Sequence, residues 1–238
     1  MIDHPAEPHR ARAGSGGNAL RAGVLGVNDG LVSNLSLVMG VAGAGVASDD
    51  ILVTGFAGLL AGAASMAMGE WISVTSSREL FGRMLRLERA ELAADPDFEL
   101  DELTAIYQAK GLDARDARNV ASILSRDPER AFETHAREEL GIDPADLGGS
   151  AWVAAGTSFA LFVVGAIVPV VPFLFLDGGR AVGLALALSI VALFGIGVAI
   201  TYLTRRSWVW SGVRQLLFGL AAAGVTYGVG ALFGIALD

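Results

Sequence analysis

Long apolar windows separated by polar segments dominate the hydrophobic pattern of this chain. Five windows each exceed about 20 residues, which at 1.5 Å of rise per residue is enough for a helix to cross a bilayer. They are Leu20–Val46, Ile51–Val74, Trp152–Phe175, Ala181–Leu203 and Val213–Leu237. The pattern predicts an all-α membrane protein with five transmembrane helices and a helical domain inserted between helices 2 and 3.

The second window continues into charged sequence without a proline or another stop signal. Its apolar part, Ile51–Val74, contains one ionisable residue, whereas Ser76–Leu92 is polar but keeps residues of high helix propensity. We therefore expect one helix that leaves the membrane and becomes the first helix of the inserted domain. Asp95-Pro96-Asp97 is expected to end it.

Capping signals divide the rest of the inserted domain into short helices. Aspartate is a favourable N-cap residue, and proline suits the first helical position. The sequence predicts a helix from about Glu99 to Lys110, a helix capped by Asp113, and a helix that begins at Asp127-Pro128.

Side chains of metal-ligand type occur in pairs on these helices. At i, i+3 or i, i+4 spacing, both members of a pair project from one helical face. Carboxylates with one imidazole suit Fe²⁺, Mn²⁺ or Zn²⁺. Such pairs are also common on solvated helix faces, so the residues alone leave both interpretations open. The candidate metal ligands are Glu88, Glu91, Glu99, Glu102, His135 and Glu139.

Two ionisable residues lie in the first two apolar windows. Asp29 belongs to the polar triplet Asn28-Asp29-Gly30, and Glu70 shares one face of the second window with Met66 at i, i+4 spacing. A charge within hydrocarbon costs on the order of a few kcal/mol, so we expect Asp29 to face a bundle interior or a wet cavity. We interpret Asn28, Asp29, Met66 and Glu70 as a candidate transport path. The alternatives are a hydrogen-bonded carboxylic acid at position 29 and ordinary packing at position 66.

Composition narrows the chemistry and the topology. The chain has no cysteine, which excludes disulfides and thiolate metal sites. Its net charge of -8 comes from the inserted domain, which holds 17 of the 25 acidic residues, and no nucleic-acid partner is expected. The distribution of Lys and Arg predicts a cytoplasmic N-terminus and a cytoplasmic inserted domain. The predicted domains are a disordered cytoplasmic tail at 1–19, transmembrane helices 1–2 at 20–75, the inserted domain at 76–148 and transmembrane helices 3–5 at 149–238.

Three sequence blocks resemble those of a known family. VNDGLVSNLSLVMGV, then GLLAGAASMAMGEWISVTSSRE, then an insert that ends in HAREELGID are similar to the vacuolar iron transporter family of plants, yeast and bacteria. The likeness covers about residues 20–238 in order. The resemblance implies a homodimer, five transmembrane helices in each subunit and a cytoplasmic metal-binding domain. It also implies export of divalent iron or manganese from the cytosol in exchange for protons.

The resemblance further assigns roles to particular residues. It implies that Asp29 and Met66 contact the transported ion, with Glu70 beside them. It also implies that five of the candidate ligands of the inserted domain bind metal, namely Glu88, Glu91, Glu99, Glu102 and Glu139. Plant members of the family have methionine at the position of His135. An imidazole must be neutral to bind metal, so this difference changes the expected metal preference and pH response.

We therefore expect an integral membrane transporter of a bacterial inner membrane, not an enzyme. Its expected substrates are Fe²⁺ and Mn²⁺, with Zn²⁺ and Co²⁺ as further candidates, and no prosthetic group is expected. Its expected partners are protons, membrane lipid and a second copy of the chain. Two rival functions are a membrane-anchored di-metal ferroxidase-like protein and a metal-sensing membrane protein. Ferritin-like sites use Glu-x-x-His pairs, which this sequence lacks, and neither rival explains Asp29.

Overall fold

Eight α-helices make up the part of the chain that this computed structural model describes, residues 15–204 and 207–237. They are α1 (Ser15–Gly43), α2 (Ser48–Ala94), α3 (Pro96–Ala109), α4 (Ala114–Leu124), α5 (Pro128–Glu138), α6 (Ala151–Ala166), α7 (Gly178–Thr204) and α8 (Trp208–Leu237). A 3-10 helix follows α6 at Val171–Leu174. The chain divides into two compact units, one formed by residues 72–150 and the other by residues 16–71 and 151–237.

Among the described residues, four helices are long and apolar enough to cross a membrane, judged by length and composition. These are α1 over Gly23–Gly43, α2 (Ser48–Ala94), whose apolar stretch lies in its first part, α7 over Gly178–Thr201 and α8 over Trp208–Gly234. The all-helical architecture and these four helices fit the predicted integral membrane protein. The continuous α2 confirms that the helix of the second window extends into the charged sequence.

The third apolar window contains a shorter helix. The window extends to Phe175, but α6 ends at Ala166 after 16 residues, a length of about 24 Å against about 30 Å of hydrocarbon. Pro169 and Pro172 follow, and proline lacks the amide hydrogen that a continuing helix requires. Turns and the 3-10 helix therefore replace a continuous helix in the second part of this window.

Helix α1 passes through the polar triplet without a break. It begins at Ser15, so residues 15–19 are helical rather than part of the predicted tail, whose residues 1–14 lie outside the described residues. Gly30 of the triplet lies against the backbone of Phe162 in α6, where a Cβ atom would clash with the carbonyl. The triplet therefore brings a glycine that lets α1 approach α6 closely.

Small residues also join α1 to α8. A Cβ atom added at Gly230 would meet the backbone of Gly40, and one added at Gly234 would meet the backbone of Ala44. A Cβ atom added at Gly224 or Gly228, on the same helix, would meet no described residue within 4 Å. One of the two GxxxG patterns of α8 therefore serves packing within the chain, as small residues do in membrane helices generally.

Asn34 connects three helices of the membrane unit. Its side chain is buried, and its amide nitrogen donates to the carbonyl of Gly55 in α2 (3.1 Å) and to that of Ala166 in α6 (2.7 Å). Ala166 is the last residue of α6, where helical carbonyls lack partners within the helix. Gly58 leaves the space that Asn34 occupies, since a Cβ atom there would lie 2.8 Å from Oδ1.

We expect Asn34→Leu to destabilise the membrane unit by about 1–2 kcal/mol, because two buried carbonyls lose their shared donor. Thermal unfolding of the full-length protein in detergent measures this. Ser189→Ala is the matched control, because Ser189 is equally buried and its hydroxyl has no hydrogen-bond partner in the part of the chain that the structure describes. Equal unfolding temperatures for the two variants would contradict the role given to Asn34.

The 72–150 unit is built from the second part of α2 and from α3, α4 and α5. Asp113 and Asp127 cap α4 and α5 as the sequence predicts. Helix α3 starts at Pro96, three residues before the predicted Glu99, because Asp95 caps it by accepting a hydrogen bond from the amide of Phe98. A small apolar core holds α2 against α5 and the segment that follows it, and it contains Leu85, Phe132, Ala136 and Ile142.

Candidate metal centre

Apolar packing aims ligand-type side chains of α2 and α5 towards one another. Leu85 of α2 and Phe132 of α5 belong to the same core. Glu88 follows Leu85 by three residues, and His135 follows Phe132 by three, so each lies on the buried face of its helix. Glu99 joins them from the first turn and a half of α3, whose start Asp95 fixes.

Four side chains meet at this point. The Nδ1 atom of His135 lies 3.1 Å from Oε1 of Glu88, 3.4 Å from Oε2 of Glu99 and 3.2 Å from Oε2 of Glu139. One ligand atom from each of the four residues lies within 4.8 Å of all the others. Neighbouring ligands of a six-coordinate ion, each about 2.1 Å from it, are about 3.0 Å apart. The four-residue cluster therefore has spacings close to those of ligands that share one ion.

Three of the four cluster residues are buried, and the cluster is short of positive charge. Glu88, Glu99 and His135 are 2%, 5% and 0% exposed. Among the described residues, His135 is the only basic side chain in ion-pair contact with the three carboxylates. Within the described part of the chain, Nε2 of His135 has no hydrogen-bond partner, and Oε1 of Glu88 has no polar neighbour beyond its 3.1 Å approach to Nδ1 of His135. The two buried carboxylates, Glu88 and Glu99, need protons or a metal cation. With the more exposed Glu139 and with His135 they form a donor set that fits a divalent transition metal.

The pKa of Glu88 reflects this shortage of positive charge. Burial, and then repulsion from Glu139 and Glu99, raises the pKa of Glu88 from 4.5 to about 7. Burial also raises the pKa of Glu99, although His135 opposes that shift. Both groups lie outside the apolar window of α2. A metal ion that binds near neutral pH must therefore displace a proton from Glu88.

We expect the metal-free 72–150 unit to lose stability as the pH rises from about 5 to about 8. The folded unit holds the Glu88 proton more tightly than the unfolded chain does, so this stabilisation is complete below pH 4.5 and is lost through the folded pKa of about 7. The loss is at most about 3 kcal/mol. Amide hydrogen exchange of α5 in the chelator-treated full-length protein, corrected for intrinsic rates, measures it. Stability that increases over this pH range would contradict the expectation.

Two of the six candidate ligands of the inserted domain stay outside the four-residue cluster. Glu91 is exposed on α2, and Glu102 is half-buried on α3. Repulsion from both residues also raises the pKa of Glu88, but by less than burial and the repulsion from Glu139 and Glu99 do. Their role as direct metal ligands remains a prediction.

The candidate transport-path residues lie in the other compact unit. Asp29 is exposed on α1, and its backbone carbonyl accepts a hydrogen bond from the hydroxyl of Ser33 (2.5 Å). Met66 is half-buried and packs against an apolar cluster of α2 and α6 that contains Phe162. Glu70 is half-buried, one turn further along α2. The grouping of metal-ligand atoms found among the described residues does not include Asp29 or Glu70.

Gln215 of α8 is a polar neighbour of this path that the sequence analysis did not single out. Its side-chain amide donates to Oδ1 of Asn28, the residue before Asp29. A glutamine inside an apolar window is a detectable signal, because such a side chain needs a partner in a membrane. Its partner, 187 residues away, is visible only in the structure.

Together, the apolar helices and the buried cluster define an integral membrane protein with a candidate centre for a divalent metal ion. Comparison with known proteins identifies the family to which the chain belongs within this class. Residues 20–231 match the VIT family, and the chain belongs to that family. This confirms the resemblance that the sequence blocks carry.

Several relatives align with this chain over most of its length and most of their own. The chain is 34% identical to a vacuolar iron transporter of Acanthamoeba castellanii, over 95% of this chain and 82% of the relative. It is 29% identical to vacuolar iron transporter 1 of Eucalyptus grandis, over 96% and 90%. It is 35% identical to vacuolar iron transporter homolog 5 of Oryza sativa subsp. japonica, over 91% and 81%. These relatives are named as transporters, in agreement with the expectation that the protein is not an enzyme.

Proposed function

We propose that this protein is a transporter that exports Fe²⁺, and also Mn²⁺, from the cytosol across a membrane in exchange for protons. The observation that carries the proposal is the four-residue cluster, in which three carboxylates and an imidazole are spaced as ligands. Among the described residues, the three carboxylates have no ion-pair partner other than His135. Membership of a family whose relatives are named vacuolar iron transporters supports iron as the substrate.

In the proposed mechanism, the cluster is the site at which the substrate ion binds before transport. Glu88, Glu99, His135 and Glu139 bind the ion directly. The other two candidate ligands, Glu91 and Glu102, attract cations to the cluster by their negative charge. A carboxylate and imidazole set favours Fe²⁺ and Mn²⁺ over Mg²⁺, which prefers oxygen-only octahedra and loses water reluctantly. Zn²⁺ and Co²⁺ are further candidates because both accept imidazole.

Asn28, Asp29, Met66 and Glu70 form the membrane path, and two copies of the chain complete it. Asp29 is exposed in a single protomer. A carboxylate on the side of a membrane helix is costly against hydrocarbon, so a surface that carries one is covered by protein or by a wet cavity. A homodimer in which the second copy covers Asp29 satisfies this requirement.

The proposed topology has five spans, with α6 and the 3-10 helix together forming the third. The N-terminus and the inserted domain, residues 76–148, are cytoplasmic, as the distribution of Lys and Arg favours. The membrane is proposed to be a bacterial inner membrane. Membrane lipid and the partner subunit are the other expected contacts.

Proton coupling follows from the ligand chemistry. Carboxylates must lose their protons to bind a metal ion, and they release the ion when they take protons up again. A more acidic outer side therefore drives metal release there.

Uptake of Fe²⁺ into proteoliposomes tests the function. The protein is reconstituted, an inward-acidic pH gradient is imposed under anaerobic conditions, and Fe²⁺, Mn²⁺, Co²⁺, Zn²⁺ and Mg²⁺ are compared. We expect uptake of Fe²⁺ and Mn²⁺ that depends on the gradient, collapses with a protonophore and exceeds uptake of Mg²⁺. No uptake above protein-free liposomes, together with O₂ consumption on addition of Fe²⁺, would favour the ferroxidase-like alternative instead.

A further inference from the structure

A cavity of about 270 Å³ lies beside the four-residue cluster in the 72–150 unit. The second part of α2, the beginning of α3 and the segment from Ser125 into α5 form its wall. Glu99 belongs both to this wall and to the cluster. The cavity therefore reaches Glu99, one of the buried residues of the cluster.

An ion needs such a route because most of the cluster is closed. The side chains of His135, Glu88 and Glu99 are 0%, 3% and 7% exposed, whereas that of Glu139 is 28% exposed. A hydrated ion can therefore approach either past Glu139 or through the cavity to Glu99. The two routes end at different ligands, and substitutions can distinguish them.

The size of the cavity suits a hydrated ion. Water occupies about 30 Å³ per molecule, so an ion with six waters needs about 180 Å³. The cavity of about 270 Å³ holds that volume. Carboxylates of Glu99 and Glu129 and the hydroxyl-bearing Ser125 are among its lining residues and can accept hydrogen bonds from the ion's water shell.

Two oppositely charged side chains, Arg89 and Glu129, lie in the wall of the cavity. The guanidinium of Arg89 is 3.0 Å from Oε2 of Glu129, and the side chains are 57% and 71% exposed. The same guanidinium lies 4.3 Å from the ring centroid of Phe132, which is another wall residue. The ring and the carboxylate thus hold Arg89 at the cavity. A cation that enters is attracted by Glu129 and repelled by Arg89.

We propose that this cavity is the entry chamber through which a hydrated divalent cation reaches the four-residue cluster, and that the Arg89–Glu129 pair is a gate that sets the loading rate. The proposal rests on the proposed function in one respect, which is that the cluster binds the substrate ion. Exposed ion pairs contribute little to stability, so either member can be replaced without unfolding the unit.

Stopped-flow mixing of Mn²⁺ with the full-length protein in detergent, followed with a fluorescent metal indicator, measures the loading rate. The kinetic phase whose amplitude decreases in Glu88→Gln is assigned to the cluster. We expect Arg89→Gln to raise the association rate constant of this phase about 3–10-fold and Glu129→Gln to lower it by a similar factor, because local charge steers the approach of an ion. High salt should reduce both differences.

Arg86→Gln is the matched control, since it removes the same charge from an exposed position of α2 that does not line the cavity. Its association rate should change less than about 2-fold. A purely structural ion pair predicts changes in the same direction for Arg89→Gln and Glu129→Gln, and entry past Glu139 predicts no change for either. Each of these results would overturn the gate alone. A wild-type protein without any Glu88-dependent phase would overturn the proposed loading site as well.

Discussion

Replacing Asp29 with asparagine is expected to lower the initial rate of Fe²⁺ or Mn²⁺ transport about 100-fold or more. Asparagine keeps the size of the side chain and its capacity to accept hydrogen bonds, but it can neither neutralise a divalent cation nor exchange a proton. A loss of about 3 kcal/mol in stabilisation of the ion within the membrane is sufficient for a change of this size. Proteoliposome uptake under a fixed pH gradient measures the rate.

The control for this substitution is Asp49→Asn. Asp49 is also exposed and acidic, but it lies in the first turn of α2, outside the proposed path. We expect near wild-type transport from that variant. Metal binding by the four-residue cluster should be unchanged in Asp29→Asn, which shows that the 72–150 unit is folded. Transport by Asp29→Asn at the wild-type rate would remove Asp29 from the path.

Capping chemistry made much of the 72–150 unit predictable from sequence. Asp127-Pro128 starts α5 as expected. The same signature at Asp95-Pro96 both ends α2 and starts α3, with one residue between the helices. Capping rules locate the break between α2 and α3 but do not fix the first residue of α3, because Asp95 can act as its N-cap only after the chain has changed direction.

The candidate metal centre was predictable as a set of pairs but not as a cluster. Helical spacing places Glu88 and Glu91 on one face of α2, and spacing alone cannot say which of them turns inward. The packing of Leu85 against Phe132 decides this, since it buries Glu88 and leaves Glu91 exposed. That contact joins residues far apart in the chain, so no local pattern contains it.

Contacts within the membrane unit were the least predictable part. Asn34 and Gln215 are visible in the sequence as polar residues in apolar windows, but their partners depend on how three or more helices pack. The partners of Asn34 are backbone carbonyls of α2 and α6, which have no sequence signature at all. The same limit applies to Asp29, whose surroundings in the proposed homodimer depend on a second copy of the chain.

Glu88→Gln is expected to weaken binding of Mn²⁺ or Fe²⁺ to the full-length protein at least about 10-fold at pH 7.5, because the cluster loses one of its three carboxylates. It should also change the pH dependence of binding. In the wild type the raised pKa of Glu88, about 7, means that affinity increases with pH up to and just beyond that value as its proton leaves. The variant lacks this group, so the slope should decrease by about one proton per ion.

Glu91→Gln is the informative comparison for that measurement, because it makes the same change one turn away on α2 at an exposed position. If the four-residue cluster is the binding site, Glu91→Gln should weaken binding less than about 3-fold, as expected for a nearby charge that is not a ligand, and keep the wild-type slope. Isothermal titration at pH 6.0, 6.75 and 7.5 resolves both quantities. Equal losses for the two variants would instead support direct coordination by Glu91, and the ion would then lie between Glu88 and Glu91 rather than at the centre of the cluster.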